Sequence, residues 1–308
     1  MKKKILFVLK SLALFGLVLF FSVHIIMPAL PNGYMAAFID KLERANSISS
    51  SKIILMGGSS VAFGIRSDML EKSLEMPVVN MGLHAGLGQT FCMDLAKKVI
   101  CEGDIIIIMP EAYDYIDGVV DGTLAWLILD NDLTLLADVR PTDYKSLIEG
   151  FPAYLKRACM YWTKETGKKV DARKDYNEYG DNISGREAGN IMEGGYISSE
   201  FFRVAVNNEL MAYYNNYSQY VQGQGAIMVM ASMPIIEPLV AGHEDEAELR
   251  QEKVEELAEF PVISEWEDYV YPVEYFYDTN YHLNGVGSLL RTQQLIDDIK
   301  RWMEDEDI

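Results

Sequence analysis

Histidine and cysteine are scarce in this 308-residue chain, with four of the first and three of the second. Three cysteines, Cys92, Cys101 and Cys159, are too few and too odd in number for a disulfide framework. Their spacing fits no zinc pattern, so no metal is expected. Cys92 and Cys101 flank an expected helix and read as buried thiols. Basic residues are also few, 27 against 46 acidic ones, for a formal net charge of −19. Such a balance excludes nucleic acid as a partner, because a nucleic-acid site needs basic surface to displace counterions. It also argues against broad docking on anionic headgroups and fits a solvated acidic surface. No internal repeat is present and no cofactor is expected.

What is present is ordinary globular material. Hydrophobic residues make up 49% and charged residues 24%. The length suits one large domain, or one domain carrying an insertion. The first residues depart from that pattern. Met1-Lys2-Lys3-Lys4 precedes an apolar stretch that Lys10 interrupts, with 11–29 as its cleaner part. That length approaches the ~20 residues of a spanning helix. Lysines before it and few basic residues after it predict an amino end in the cytoplasm and a domain outside. Residues 1–30 are thus expected to be a single-pass membrane anchor, with the membrane as a partner. A cleaved signal peptide is the competing reading, with the small residues Met35-Ala36-Ala37 lying late for a cleavage site.

Pro31-Asn32-Gly33 marks a break, and 31–50 reads as a linker or a polar-faced helix. From 51 the pattern alternates strand and helix. Short apolar runs at 52–56, 77–81, 104–109, 225–231 and 261–263 read as five buried parallel strands. Between and after them, helices are expected at 68–74, 89–100, 198–221, 244–257 and 285–303. The last of these has Leu289, Leu290, Leu295, Ile296, Ile299 and Trp302 as its apolar face. The alternation predicts an α/β domain of three α/β/α layers, spanning 51–308. It stops after the third strand. Residues 113–196 read as a large insertion, helical near 144–166 and glycine-rich and polar at 168–195. An excursion of that size in an α/β domain is more often functional than accidental, although a mobile surface loop is the simpler reading.

In open parallel sheets ligands sit beyond the carboxyl ends of the strands. Three of these ends carry chemistry: Gly57-Gly58-Ser59-Ser60, Asn80-Met81-Gly82 and Met109-Pro110-Glu111. Near the carboxyl terminus, Asp278-Thr279-Asn280-Tyr281-His282 sets a carboxylate four residues before a histidine. A serine in a glycine turn, with a base and its orienter elsewhere, is the composition of nucleophilic acyl chemistry. Of the other histidines, His84 follows Gly82 on the loop after the second strand and His243 precedes an acidic helix. His24 lies in the apolar amino terminus. His282 has Asp278 four residues before it, the orienting carboxylate that a catalytic base needs. Tyr269, Tyr271, Tyr275, Tyr277 and Tyr281 gather around this last element, either packing or stacking on sugar rings. Glycine-turn serines also bond local backbone, so residue chemistry leaves Ser59 and Ser60 both open.

These segments resemble the SGNH, or GDSL-type, hydrolases. Gly58-Ser59-Ser60-Val61-Ala62-Phe63-Gly64-Ile65 is similar to their first block and Asn80-x-Gly82 to the second. Asp278 to His282, with Leu283-Asn284-x-x-Gly287, is similar to the last, and Met233-Pro234 falls where many members carry a proline. The resemblance covers about 51–112 and 224–303 and is nearest to membrane-anchored bacterial members that acylate cell-envelope polymers. It implies an SGNH/flavodoxin-like fold and Ser59 as nucleophile, since those members read Gly-Gly-Ser. It further implies His282 as base, Asp278 as its orienter, and the Ser59 and Gly82 amides as oxyanion donors. The function it implies is an extracytoplasmic serine esterase or O-acyltransferase acting on acylated envelope or exopolysaccharide glycans, with a membrane-bound O-acyltransferase as partner. Two departures stand out. Thr279 occupies the position of the usual aspartate, Asp278 being one further back. Pro110-Glu111 replaces the Gly-x-Asn-Asp block, and an ionised carboxylate cannot donate to an oxyanion. A non-catalytic, membrane-anchored glycan-binding or scaffold protein is the alternative that these departures favour.

Overall fold

A computed structural model of the chain describes residues 2–25, 28–88, 90–113, 118–162, 172–192 and 205–308. Its centre is a parallel sheet of four strands, β1 (Ile53–Gly57), β2 (Val78–Asn80), β3 (Ile105–Met109) and β4 (Ile227–Met230), in the order β2-β1-β3-β4. The strands are almost wholly buried apolar runs, as a sheet covered on both faces requires. Alternate side chains feed two cores. Ile54, Met56, Ile106 and Ile108 join one, while Ile53, Leu55, Ile105 and Ile107 join the other. The chain runs from β1 through α3 (Ser59–Gly64) and α4 (Ser67–Leu74) to the outer strand β2, then crosses back to β3. The direction reverses between β1 and β3, and the cleft at that switch point lies beyond Gly57 and Met109.

The sheet therefore has four strands where five were expected. The fifth segment makes only an isolated parallel bridge, Val262 to Met230. Met230 donates to the Pro261 carbonyl and Ile263 donates to Met230, and there the pairing ends. Pro261 has no N–H to extend the ladder. A separate two-stranded parallel sheet, β5 (Ile235–Ile236) with β6 (Val270–Tyr271), lies outside the expected pattern.

The amino-terminal expectation is also corrected. Among the described residues no helix is long and apolar enough to cross a membrane. Helix α1 (Lys2–Ile25) opens with Lys2, Lys3 and Lys4 and carries Lys10 inside its apolar run, which shortens the uncharged stretch. The single-pass anchor expected at 1–30, and the localisation drawn from it, fall with it. Ala29 is tied into the domain, its amide donating to the buried Asp130 carboxylate at 2.8 Å. Residues 31–50 contain α2 (Ala37–Ser47), which buries Phe38, Leu42, Ala45 and, unexpectedly, Lys41.

Helix α5 (Phe91–Ala96) precedes β3, and α6 (Gly122–Leu129) and α7 (Tyr144–Trp162) follow it, packed as a hairpin. The helix expected at 89–100 is the short α5 followed by a 3₁₀ turn at Lys97–Val99. Residues 163–171 and 193–204 lie outside the described residues, as do Asp114 and Asp117, so the helix expected from 198 is seen only as α8 (Asn208–Gly223). Residues 172–192, part of the glycine-rich excursion, fold onto the domain. After β4 come α9 (Glu237–Val240), α10 (Glu244–Leu257) and α11 (Gly285–Glu306). Helix α11 buries Leu295, Ile296, Ile299 and Trp302 as expected. Leu289 and Leu290 are instead exposed, their places on the buried face being taken by Ser288, Arg291 and Thr292. Cys92 is buried, but Cys101 is exposed.

Candidate active site

The serine turn is forced by close packing. A Cβ on Gly57 would stand 2.8 Å from the Met109 carbonyl, and one on Gly82 would stand 2.6 Å from the Ala62 amide. Glycine at both positions lets β1, β3 and the loop after β2 converge on the start of α3, with Gly58 at its N-cap position. The two serines then part. Ser60 is fully buried, and its carbonyl accepts from the buried Arg291 guanidinium at 2.6 Å. Ser59 is only partly buried. Phe63 lies one helical turn beyond Ser59, on the same face.

His282 stacks on that Phe63 ring, with centroids 4.0 Å apart and planes 9° from parallel. The imidazole is held at its other side by Asp278, Nδ1 to Oδ1 2.7 Å. The spacing works because the segment is a tight loop. Phe276 pairs with Leu283, Tyr277 donates to the His282 carbonyl, and the Thr279 hydroxyl accepts from the Tyr281 and His282 amides. Thr279 thus shapes the turn that brings Asp278 onto the ring. Asn284 closes the loop from below. It caps α11 through Val286 and Gly287, and its amide donates to the Glu274 carbonyl. Burial acts to raise the Asp278 pKa, but the hydrogen bond with His282 and its charge outweigh it and hold the carboxylate below its ordinary value.

The oxyanion donors expected from the sequence are partly engaged. The Gly82 amide donates to Asn80 Oδ1 at 2.9 Å, and the Asn80 amide group donates to Val61 and Asp181. The Ser60 amide donates to Glu111 Oε1 at 2.6 Å, and the Glu111 carboxylate lies directly against the Gly58 Cα. Glu111 therefore places a carboxylate over the serine turn. An open cleft runs from there, lined by Gly58, His84, Glu111, Cys92, Met93 and Tyr214 among others. His84 sits on its wall, its ring edge-on to Tyr34. His243 is remote from this cleft in the fold and faces Glu246 at the start of α10. The side chain of His24 lies outside the described residues. Of the clustered tyrosines, Tyr269 and Tyr271 are buried, and the Tyr269 hydroxyl donates to Asp298.

Residues absent from the sequence expectations hold this arrangement in place. Lys41 is buried, and its ammonium donates to the carbonyls of Asn80, Gly82 and Gly180. Burial pushes its pKa down to about 7, against the opposing charge of Asp181. Asp181 accepts from the Ser67 amide and hydroxyl, Asn80, Asn177 and Arg186. Asn182 donates to Ala62 in α3, and Ile191 donates to the Tyr277 carbonyl. The excursion thus braces both α3 and the loop that carries Asp278 and His282. Lys41 and Arg291 each had a visible signal: a basic residue on the apolar stripe of an amphipathic helix. No family model, curated protein sequence or solved structure matches the chain.

Proposed function

We propose that this chain is an SGNH-like serine hydrolase or acyl transferase acting on acyl esters, with acylated glycans as the substrate class. The observation that carries the reading is the Asp278–His282 pair seated on Phe63, one turn from a partly exposed Ser59. In this reading the Ser59 hydroxyl attacks the ester carbonyl while His282 Nε2 takes its proton, and Asp278 stabilises the resulting imidazolium. Collapse of the tetrahedral intermediate breaks the ester C–O bond. The leaving alkoxide receives the proton from His282, leaving an acyl group on Ser59. Water completes hydrolysis; a sugar hydroxyl completes transfer. The Ser59 amide receives the developing oxyanion, and Glu111 has to withdraw from the Ser60 amide as negative charge grows beside it.

The test is turnover of a short-chain aryl acetate by the full chain. Activity abolished in Ser59→Ala and retained in Ser60→Ala is the expected result, and retention in Ser59→Ala overturns the assignment. A second reading, a glycan-binding module without turnover, is favoured by the Ser60 and Gly82 amides already having internal acceptors. Glycan binding by wild type and Ser59→Ala alike, with no hydrolysis by either, would establish it instead.

A further inference from the structure

The usual third oxyanion donor is lost where Glu111 stands, yet the cleft has another donor on its wall. The backbone N–H of Gly86 donates to His84 Nδ1 at 2.9 Å. A ring nitrogen that accepts a hydrogen bond carries no proton, so a neutral His84 has its hydrogen on Nε2. The contact is a built one. A Cβ on Gly86 would stand 3.0 Å from Nδ1, so a side chain there would press on the ring. The Gly86 carbonyl in turn accepts from the Asp121 amide, which pins the loop to the start of α6. Tyr34, whose hydroxyl donates to the Leu83 carbonyl, supports the ring from the side. Burial works against a charged imidazolium here and outweighs the opposing influence of Glu111, and the charge of His282 adds to it. His84 shares its cleft with Gly58 and Glu111.

We propose that His84 is a catalytic residue that donates its Nε2–H to the acyl carbonyl oxygen, supplying the donor that Glu111 cannot. The proposal rests on the acyl-transfer reading given above. The imidazole stays neutral and gives up no proton: it accepts no charge and only hydrogen-bonds the oxyanion as the carbonyl becomes tetrahedral. An arrangement of this kind acts mainly on kcat, because the charge it meets exists only in the transition state.

The experiment compares wild type, His84→Ala, His84→Gln and Ser59→Ala, each confirmed folded by thermal melting. It measures kcat and KM for an aryl acetate and inhibition by an aryl boronic acid, whose serine adduct carries a tetrahedral oxygen. The expected result is a fall in kcat of about 10²–10³-fold in His84→Ala with KM little changed. Boronate inhibition should weaken in parallel, and His84→Gln, which keeps an N–H donor, should recover part of both. A kcat within twofold of wild type in His84→Ala, or a loss in KM alone, overturns the proposal while the serine mechanism stands. Inactive wild type, or activity retained in Ser59→Ala, overturns the acyl-transfer reading and this inference with it.

Discussion

Two neighbouring serines have opposite fates at the first turn of α3. Ser60 faces inward, its Oγ buried with no hydrogen-bond partner among the described residues and its carbonyl bonded to Arg291. Ser59 is only partly buried, one helical turn before Phe63. A nucleophile has to be reachable, so exposure separates what composition left open. The rare residue types made this much readable in the sequence: with four histidines in the chain, one carboxylate–histidine pairing stood out. What Glu111 does was not readable, because its partner, the Ser60 amide, is 51 residues away and is reached only through the β1–β3 pairing. An ionised carboxylate beside a developing oxyanion raises the barrier by like-charge repulsion. Glu111→Asn should therefore raise kcat of the aryl acetate reaction, by about tenfold if it restores even part of one donor's worth. Unchanged or lower kcat in that variant would show that the carboxylate helps rather than hinders.

At the scale of elements, the informative piece is the segment at 172–192. Its glycines and polar residues read as a surface excursion, yet it supplies Asp181, a fully buried carboxylate with donors from α4, β2 and its own loop. Polar composition does not distinguish a solvated loop from one whose polar groups are satisfied inside the protein; only the partners do, and they are distant in sequence. Removing one member of such a network strands the rest. Asp181→Ala should lower stability by about 3–5 kcal/mol, read as a lower urea midpoint with an unchanged slope. A loss below about 1 kcal/mol would mark the segment as an ornament rather than a brace. Lys41 belongs to the same logic from the other side, since its three carbonyl partners include the two that flank the Met81 turn.

The whole molecule was legible as an α/β domain because β-branched runs and helical stretches alternate. Strand count and the amino terminus were not. The fifth strand failed on Pro261, and the amino-terminal helix failed on its lysines. The ordered domain reaches back to Ala29 through Asp130, which also accepts from Tyr154 of α7 and so joins three distant segments. Burial pushes the Asp130 carboxyl up to about 6, against the hydrogen bonds from Ala29, Tyr154 and Asn131. A carboxyl raised in this way binds its proton more tightly folded than unfolded. Its contribution to stability is fully present below the ordinary value of 3.8 and is lost as pH rises through about 6. Asp130→Asn mimics the neutral form. Its Tm should improve relative to wild type as pH rises from about 4 to about 7, whereas a difference that stays flat would refute the shift.

The catalytic expectations converge on one atom, the Ser59 Oγ. Reacting the full chain with a fluorophosphonate and mapping the adduct by peptide mass spectrometry tests it directly. The account predicts a stoichiometric adduct on Ser59, lost in His282→Ala and absent from Ser60. An adduct on Ser60, or none on any serine of the native chain, would contradict it.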